Sequence, residues 1–326
     1  MYLLIGGSGF IGTNFAHYLH KHGYDFCIYD THRSSYLPKK PKVICGDIRD
    51  KKKLAKALQD CDTVFHLATV PPSARLSSKE IYDVDVNGTQ NVLLSAIEND
   101  VERIIFTSSA SHVYGLVKNN SCPLGENSML NPINEYGRNK VVAEELYKKA
   151  SETKGLQTVV LRLSMVLGPY NFDPILIENI KSILRNKRII TPGDGRSRGQ
   201  SIHVEDVSSA LLKSAEKTNV SLSKHEVINI SGEEILTLND YIKLLRNAIG
   251  STSKIIHLPL PLARNMTHLA WILNKTNVHP SYLSLMAQDQ YFDISKAKHI
   301  LDWRPKYTVK ETVEETIDFL KKDSCF

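Results

Sequence analysis

What this 326-residue sequence lacks narrows it before anything it contains. It has no uninterrupted apolar run of the roughly 20 residues that a membrane-spanning helix needs. Its most hydrophobic late stretch, residues 258–273, is broken by Pro259, Pro261 and Arg264. Its five cysteines, Cys27, Cys45, Cys61, Cys122 and Cys325, are odd in number and lack metal-site or redox-motif spacing, which argues against a disulfide framework and for a reducing compartment. There is no low-complexity tract and no block of like charge. The net charge of +6 is a small difference between 41 basic and 35 acidic residues scattered along the chain, so a nucleic-acid partner is not expected. Met1 runs straight into YLLIGG, without a basic segment or long apolar stretch, and this predicts a cytoplasmic protein. His17, His20 and His22 lie close together on the polar face of a predicted helix, where water is the expected neighbour; no metal is predicted.

What is present is a rhythm. YLLIGG, FCIYD, KVICGD, TVFHLA, RIIFTSS and TVVLRLS read as strands, and amphipathic stretches such as FIGTNFAHYLHKHG, VNGTQNVLLSAIEND and YGRNKVVAEELYKKASE follow most of them. This βαβ spacing predicts an α/β fold, a Rossmann-type doubly wound parallel sheet. The rhythm changes after Gly168 and Pro169. The expected division is a dinucleotide-binding domain over 1–168, with 201–232 returning to it, and a smaller C-terminal substrate-binding lobe over 169–326.

The segment Gly6-Gly7-Ser8-Gly9-Phe10-Ile11-Gly12 lies between the first strand and the first helix and satisfies both GxGxxG and GxxGxxG. Glycines there allow a tight turn and let backbone N–H groups, including those of Phe10 and Ile11, approach a pyrophosphate at the positive end of a helix. Asp30 ends the second strand eighteen positions after Gly12, placed to accept hydrogen bonds from an adenosine ribose and to repel a 2′-phosphate. It favours NAD over NADP, although Arg33 is near enough to accommodate a 2′-phosphate. Asp47, followed by Ile48, is a candidate for the adenine amino group or equally a strand-end turn.

Tyr-x-x-x-Lys spacing occurs three times, at Tyr36/Lys40, Tyr114/Lys118 and Tyr136/Lys140. The first pair encloses Pro38 and the second contains Gly115, whereas Tyr136 and Lys140 open a well-formed amphipathic helix. Residues four apart share a helix face, so the Lys140 ammonium is expected near the Tyr136 phenol, favouring its ionised form.

With the glycine loop and Asp30, the stretches HLA (His66 to Ala68), VNGTQNVL, FTSSASHVYG, YGRNK, LRLSMVLGP and SIHVEDV make the chain resemble the extended short-chain dehydrogenase/reductase family, of the NAD-dependent epimerase/dehydratase type, over roughly residues 1–235. That resemblance implies Tyr136 as catalytic acid/base and Lys140 as the residue that binds the nicotinamide ribose and lowers the tyrosine pKa. It implies a serine hydrogen-bonded to the reacting oxygen, Asn87 near the cofactor, and Leu67, Ala68, Thr69 and Thr107 along its path. The serine four residues before the tyrosine of VYG in relatives is Ala110 here. Counting from Phe106 selects Ser109, with His112 as an apparent insertion and Ser108 and Ser111 as alternates. A homodimer through helices near 87–99 and 136–152 is also implied.

The substrate is less constrained. Sugar 4,6-dehydratases follow the catalytic Thr with Asp-Glu, where this chain has Ala110 and Ser111 after Ser109, so that reaction is disfavoured. A nucleotide-sugar epimerase, with a UDP-sugar foremost, stands ahead of a dehydrogenase of a sterol-like alcohol. Against the epimerase, Met165 replaces an Asn common in relatives and no arginine precedes Asp293; Arg198 is the remaining candidate for a diphosphate contact. The stretch LPLPLARNMTHLAWILNK resembles a proline-started helix of hydrophobic-alcohol dehydrogenases, with packing between lobes as its simpler reading.

Overall fold

The structure, a computed structural model, describes residues 1–117, 121–216 and 223–323. Lys118 and Cys325 lie outside the described residues. Seven parallel strands form the central sheet: β1 (Tyr2–Ile5), β2 (Phe26–Asp30), β3 (Lys42–Cys45), β4 (Thr63–His66), β5 (Arg103–Ser109), β6 (Gln157–Leu163) and β7 (His225–Ile230), in the order β7-β6-β5-β4-β1-β2-β3. The chain therefore leaves β3 at one edge and returns to the middle at β4, beside β1. A cleft opens at the carboxyl ends of β1 and β4, where ligands of doubly wound sheets bind.

The strands read as near-continuous apolar runs because both faces are covered. Side chains alternate with period two: Leu4, Ile28, Phe65, Ile105 and Val159 face the helices Phe10–Lys21 and Val204–Glu216, whose Phe15, Leu19, Val207 and Leu211 complete that core. Leu3, Ile5, Val64, Ile104 and Val160 face the helices Thr89–Glu98 and Glu135–Lys154, meeting Val92, Leu93 and Tyr147. Arg103, at the start of β5, is buried beside the last turn of Val204–Glu216 and donates to the Ser214 and Ala215 carbonyls.

The remaining chain forms short paired strands and helices over the carboxyl end of the sheet. Met165–Leu167 pairs with Ser201–His203, Arg198–Gly199 with Leu236–Thr237, and Ile189–Pro192 with Ile255–Leu258. A separate core of Leu167, Ile180, Ile183, Leu245, Val313, Ile317 and Leu320 unites the helices Pro174–Leu184, Leu238–Ile249 and Val309–Lys322. The helix Leu260–Ile272 is different. Ala263 is its single buried residue, so packing between lobes does not account for its apolar sequence.

Candidate active site

The glycine loop is a cradle that side chains would fill. Gly6 has φ +84°, and a Cβ there would lie 2.5 Å from the Ala68 nitrogen; a Cβ on Gly12 would lie 2.4 Å from the Gly6 oxygen and 2.5 Å from Gly7 Cα. The backbones of the first loop and of Leu67-Ala68 after β4 are thus as close as they can be, with Leu67 N–H donating to the Ile5 carbonyl at 2.8 Å. The helix that follows begins at Phe10 without a side-chain cap, which leaves its N-terminal N–H groups and dipole directed at the loop. Phe10 and Ile11 are half-buried behind it.

Asp30 is mostly buried and accepts from the Ser8 backbone N–H at 2.8 Å, which fixes its carboxylate beside the loop. Arg33, three residues beyond β2 and exposed, donates to the carbonyls of Pro38 at 3.1 Å and Pro41 at 3.2 Å, which fixes its guanidinium in the turn after β2. Asp47 takes the turn reading: it accepts from Arg49 N–H at 2.9 Å and pairs with the Arg49 guanidinium at 2.6 Å, and that hydrogen-bonded cation holds its carboxyl below the usual range. Ile48 is buried against Gly88.

The three Tyr-x-x-x-Lys pairs separate cleanly. Tyr36 donates to Asp323 at 2.8 Å, and Tyr114 is buried with its hydroxyl shared between Arg162 and Asn229. Tyr136 lies at the start of the helix Glu135–Lys154, which Asn134 caps by accepting from Gly137 N–H at 2.8 Å. Lys140 is buried, donates to the Thr107 carbonyl at 3.0 Å, and stands 5.5 Å from the Tyr136 ring centre. Burial lowers its pKa to about 8. The expected depression of the tyrosine is absent, however. Burial, reinforced by the nearby Asp85 carboxylate, pushes the Tyr136 phenol above its ordinary value.

Asp85 is the residue that sequence reasoning missed. It sits in a wide helical segment, Asp83–Gly88, of π type, and the extra residue per turn rotates the expected face. Asn87, expected near the cofactor, is exposed in the same segment and donates to Asp83 at 2.8 Å. Asp85 is buried and accepts from Thr69 Oγ1 and Val70 N–H, both at 2.9 Å. The Asp85 carboxylate also acts on the nearby Tyr136 phenol through its charge. Burial raises the Asp85 carboxyl above the ordinary range while Lys140 opposes that rise.

Of the serines, Ser108 is buried and donates to Glu144 at 2.5 Å, within a network where Glu144 also pairs with Arg162 at 2.7 Å. Ser111 lends its carbonyl to Gln290. Ser109 contacts His112 Nδ1 at 3.0 Å, and the His112 ring packs edge-on to Tyr136 and Tyr282 at 4.9 and 5.3 Å. Its Nε2 is buried without a partner among the described residues, and burial lowers its pKa to about 4, keeping it neutral near pH 7. The one-residue insertion in FTSSASHVYG was the signal for His112. Opposite, the helix Pro280–Met286 carries Tyr282, while Arg75 lies 4.2 Å over Trp271 and also bonds Asn274 and Thr276. Met165 is exposed, and Arg198 forms a two-pronged pair with Asp289 at 2.5 and 3.0 Å. Among the described residues no group of three or more His, Cys, Asp and Glu forms a metal set, and no helix is long and apolar enough to cross a membrane.

The profile of the NAD dependent epimerase/dehydratase family matches residues 2–231. A putative UDP-glucose 4-epimerase of Methanocaldococcus jannaschii is 28% identical, with 99% of each chain aligned. A sterol-4-alpha-carboxylate 3-dehydrogenase, decarboxylating, of Mus musculus is 27% identical over 98% of this chain and 91% of that one. The crystal structure of UDP-glucose 4-epimerase from Thermotoga maritima, with UDP-glucose, superposes with a TM-score of 0.82 at 25% identity, covering 99% of this chain and all of that one. The fold, the glycine cradle and the match across more than two thirds of the chain lead to one conclusion: the chain belongs to the NAD dependent epimerase/dehydratase family.

Proposed function

We propose that this enzyme uses NAD to move a hydride at a secondary alcohol or ketone carbon, with Tyr136 exchanging the oxygen-bound proton, and that its substrate is a UDP-sugar epimerised at one carbon. The observation that carries the chemistry is the placement of the buried Lys140 ammonium 5.5 Å from the Tyr136 ring centre, anchored on the Thr107 carbonyl near the end of β5, with His112 edge-on to the same ring at 4.9 Å. Full-length likeness to UDP-glucose 4-epimerases supports the sugar nucleotide.

The residues present fit NAD. The cradle leaves no room for side chains at Gly6 and Gly12, the helix start is uncapped, and Asp30 offers a carboxylate to a ribose and repels a 2′-phosphate. NAD, when bound, supplies the hydride acceptor. Lys140 would hold the nicotinamide ribose, Tyr136 would take a proton from the substrate hydroxyl and return it to the ketone, and Ser109 would hydrogen-bond the same oxygen. His112, neutral and aimed at Ser109, orients that hydroxyl. The raised phenol pKa favours the protonated Tyr136 that donates to a ketone, while the phenolate that takes the substrate's proton is favoured by the Lys140 ammonium and by a neutral Asp85.

A second reading, a dehydrogenase of a hydrophobic alcohol, is favoured by one observation: Arg198 is engaged by Asp289, which leaves the candidate diphosphate contact occupied. Incubation with UDP-glucose, with UDP-galactose and with a 3β-hydroxysterol separates the two. Interconversion of the sugars without net NADH supports epimerisation; net NADH from the sterol with inert UDP-sugars overturns it. Leu94 and Val142, exposed on Thr89–Glu98 and Glu135–Lys154, support a homodimer through those helices, and light scattering at monomer mass would refute it.

A further inference from the structure

Between Asp240 and Asp289 the sequence contains no acidic residue, although the chain carries 35 of them. The same stretch holds Lys243, Arg246, Lys254, Arg264 and Lys275. At its centre is the helix Leu260–Ile272, whose Leu262, Met266, Leu269 and Ile272, with Leu273 just beyond, are each about half exposed or more. At about 100° per residue these five fall within an arc of about 120°. They form an unpartnered apolar stripe, a feature that single-copy soluble surfaces rarely show.

The helix packs beside the paired strands Ile189–Pro192 and Ile255–Leu258, where Ile190 is also exposed. Arg185, Lys187 and Arg188 lead into the first strand and Lys254 into the second, all exposed. Among the described residues these four and Arg264 and Lys275 form no ion pair. An apolar helical stripe bordered by uncompensated cations matches an amphipathic helix lying in a lipid headgroup layer. A second copy of this chain fits badly, because a two-fold contact would bring one predominantly basic face against another.

We propose that the helix Leu260–Ile272 and the adjoining strand pair dock this enzyme on the surface of an anionic bilayer. The placement has a consequence for the active site. This helix packs on Pro280–Met286, which presents Tyr282 to His112 beside Tyr136, and Trp271 holds Arg75 from the segment following β4. A docked bilayer would therefore lie against the elements that wall the substrate side of the cleft, where an amphiphile could enter without crossing water.

The test is flotation of the whole protein with phosphatidylcholine vesicles and with vesicles of equimolar phosphatidylcholine and phosphatidylglycerol. Binding is expected to the anionic vesicles only, to weaken with added salt, and to fall at least about tenfold in the double variant Leu269→Glu/Ile272→Glu. NAD affinity and unfolding temperature of the variant, measured alongside, should match the parent, since neither residue touches the cradle or a core. Failure of the parent to float with anionic vesicles overturns the proposal, as does undiminished binding by the variant. Self-association that the two substitutions abolish, without vesicle binding, assigns the stripe to a second copy and also overturns it. The assay reads lipid binding without turnover, so its failure leaves the hydride-transfer reading intact.

Discussion

The two walls of the cleft are built on opposite principles. On the sheet side, polar groups are buried and committed: Asp30 to the loop, Asp85 to Thr69 and Val70, Lys140 to Thr107, Ser108 to Glu144. The facing side is carried by the helix Pro280–Met286 with Tyr282, and behind it the helix Leu260–Ile272 leaves large apolar side chains in solvent, bordered by Arg185, Lys187, Arg188 and Lys254, which form no ion pair among the described residues. Groups fixed by buried hydrogen bonds suit chemistry that must recur identically with every turnover, and two buried atoms left without a partner among the described residues, Asp85 Oδ2 and His112 Nε2, lie beside Tyr136. An exposed apolar and cationic wall specifies little by geometry and much by chemical class. The proposed reaction draws on the first set of groups, and the second would select by chemical class.

The largest expected effect tests the first wall. Tyr136→Phe should lower kcat by about a hundredfold to ten-thousandfold, the range for a lost proton-transferring group, while NAD affinity measured by calorimetry stays within about threefold. Retained turnover would place the proton elsewhere and dissolve the contrast. Next comes the cradle. Gly12→Ala puts a Cβ 2.4 Å from a backbone oxygen that cannot move aside, so NAD affinity should fall by about a hundredfold or more. Gly9→Ala meets nothing nearer than 3.4 Å and should cost less than about tenfold. Equal effects at both positions would show that the loop is not held by close approach.

That cradle was legible because its residues act through sequence-local geometry: a strand, glycines at fixed spacing, a helix, and Asp30 at the next strand end. Tyr136 and Lys140 were legible for the same reason, since four residues along a helix always share a face. Asp85 was not. A π-type turn changes which residue of VDVNGT points inward, and nothing in the periodicity of that stretch announces an i to i+5 turn, so the burial of Asp85 was not foreseen. The fate of Arg33 and Asp47 was hidden too, because each is decided by a neighbour in a turn, Pro38 and Pro41 in one case and Arg49 in the other. The sign of the Tyr136 shift depended on burial and on Asp85, both tertiary facts. The exposure of Leu260–Ile272 was likewise invisible to a pattern that reads the same for core and surface.

A smaller effect follows from the buried pair that flanks Tyr136. Asp85→Asn removes the carboxylate that raises the phenol pKa, so the pH at which Tyr136 ionises should fall and the rate change by about tenfold. Lys140 supplies an upper limit in the parent. Its folded pKa of about 8 means that the ammonium form is complete below that pH and lost above it, so activity should decline as pH rises through about 8. Stability should move the other way. Lys140 binds its proton less tightly folded than unfolded, so its contribution to stability rises from pH 8 towards its unfolded pKa of about 10.5. A joint decline of activity and unfolding temperature would mean that global unfolding, and not Lys140, sets the limb.

The smallest expected effect bears on the second wall. Arg198 is exposed and paired with Asp289, and solvent screens such a pair so that it contributes little. If Arg198 spends its charge on Asp289 during turnover as well, Arg198→Ala should change KM for a UDP-sugar by less than about threefold, with kcat unchanged. A rise in KM of about a hundredfold, without loss of unfolding temperature, would mean that the guanidinium leaves Asp289 for a diphosphate, because a charge-assisted contact to phosphate is worth that much and a surface pair is not. Asp289→Asn discriminates further. Freeing the guanidinium should lower KM if a diphosphate is its alternative partner and leave KM unchanged if the substrate carries none. The second outcome, together with turnover of a 3β-hydroxysterol, would make the facing wall a surface for an amphiphile and sharpen the division of labour between the two sides.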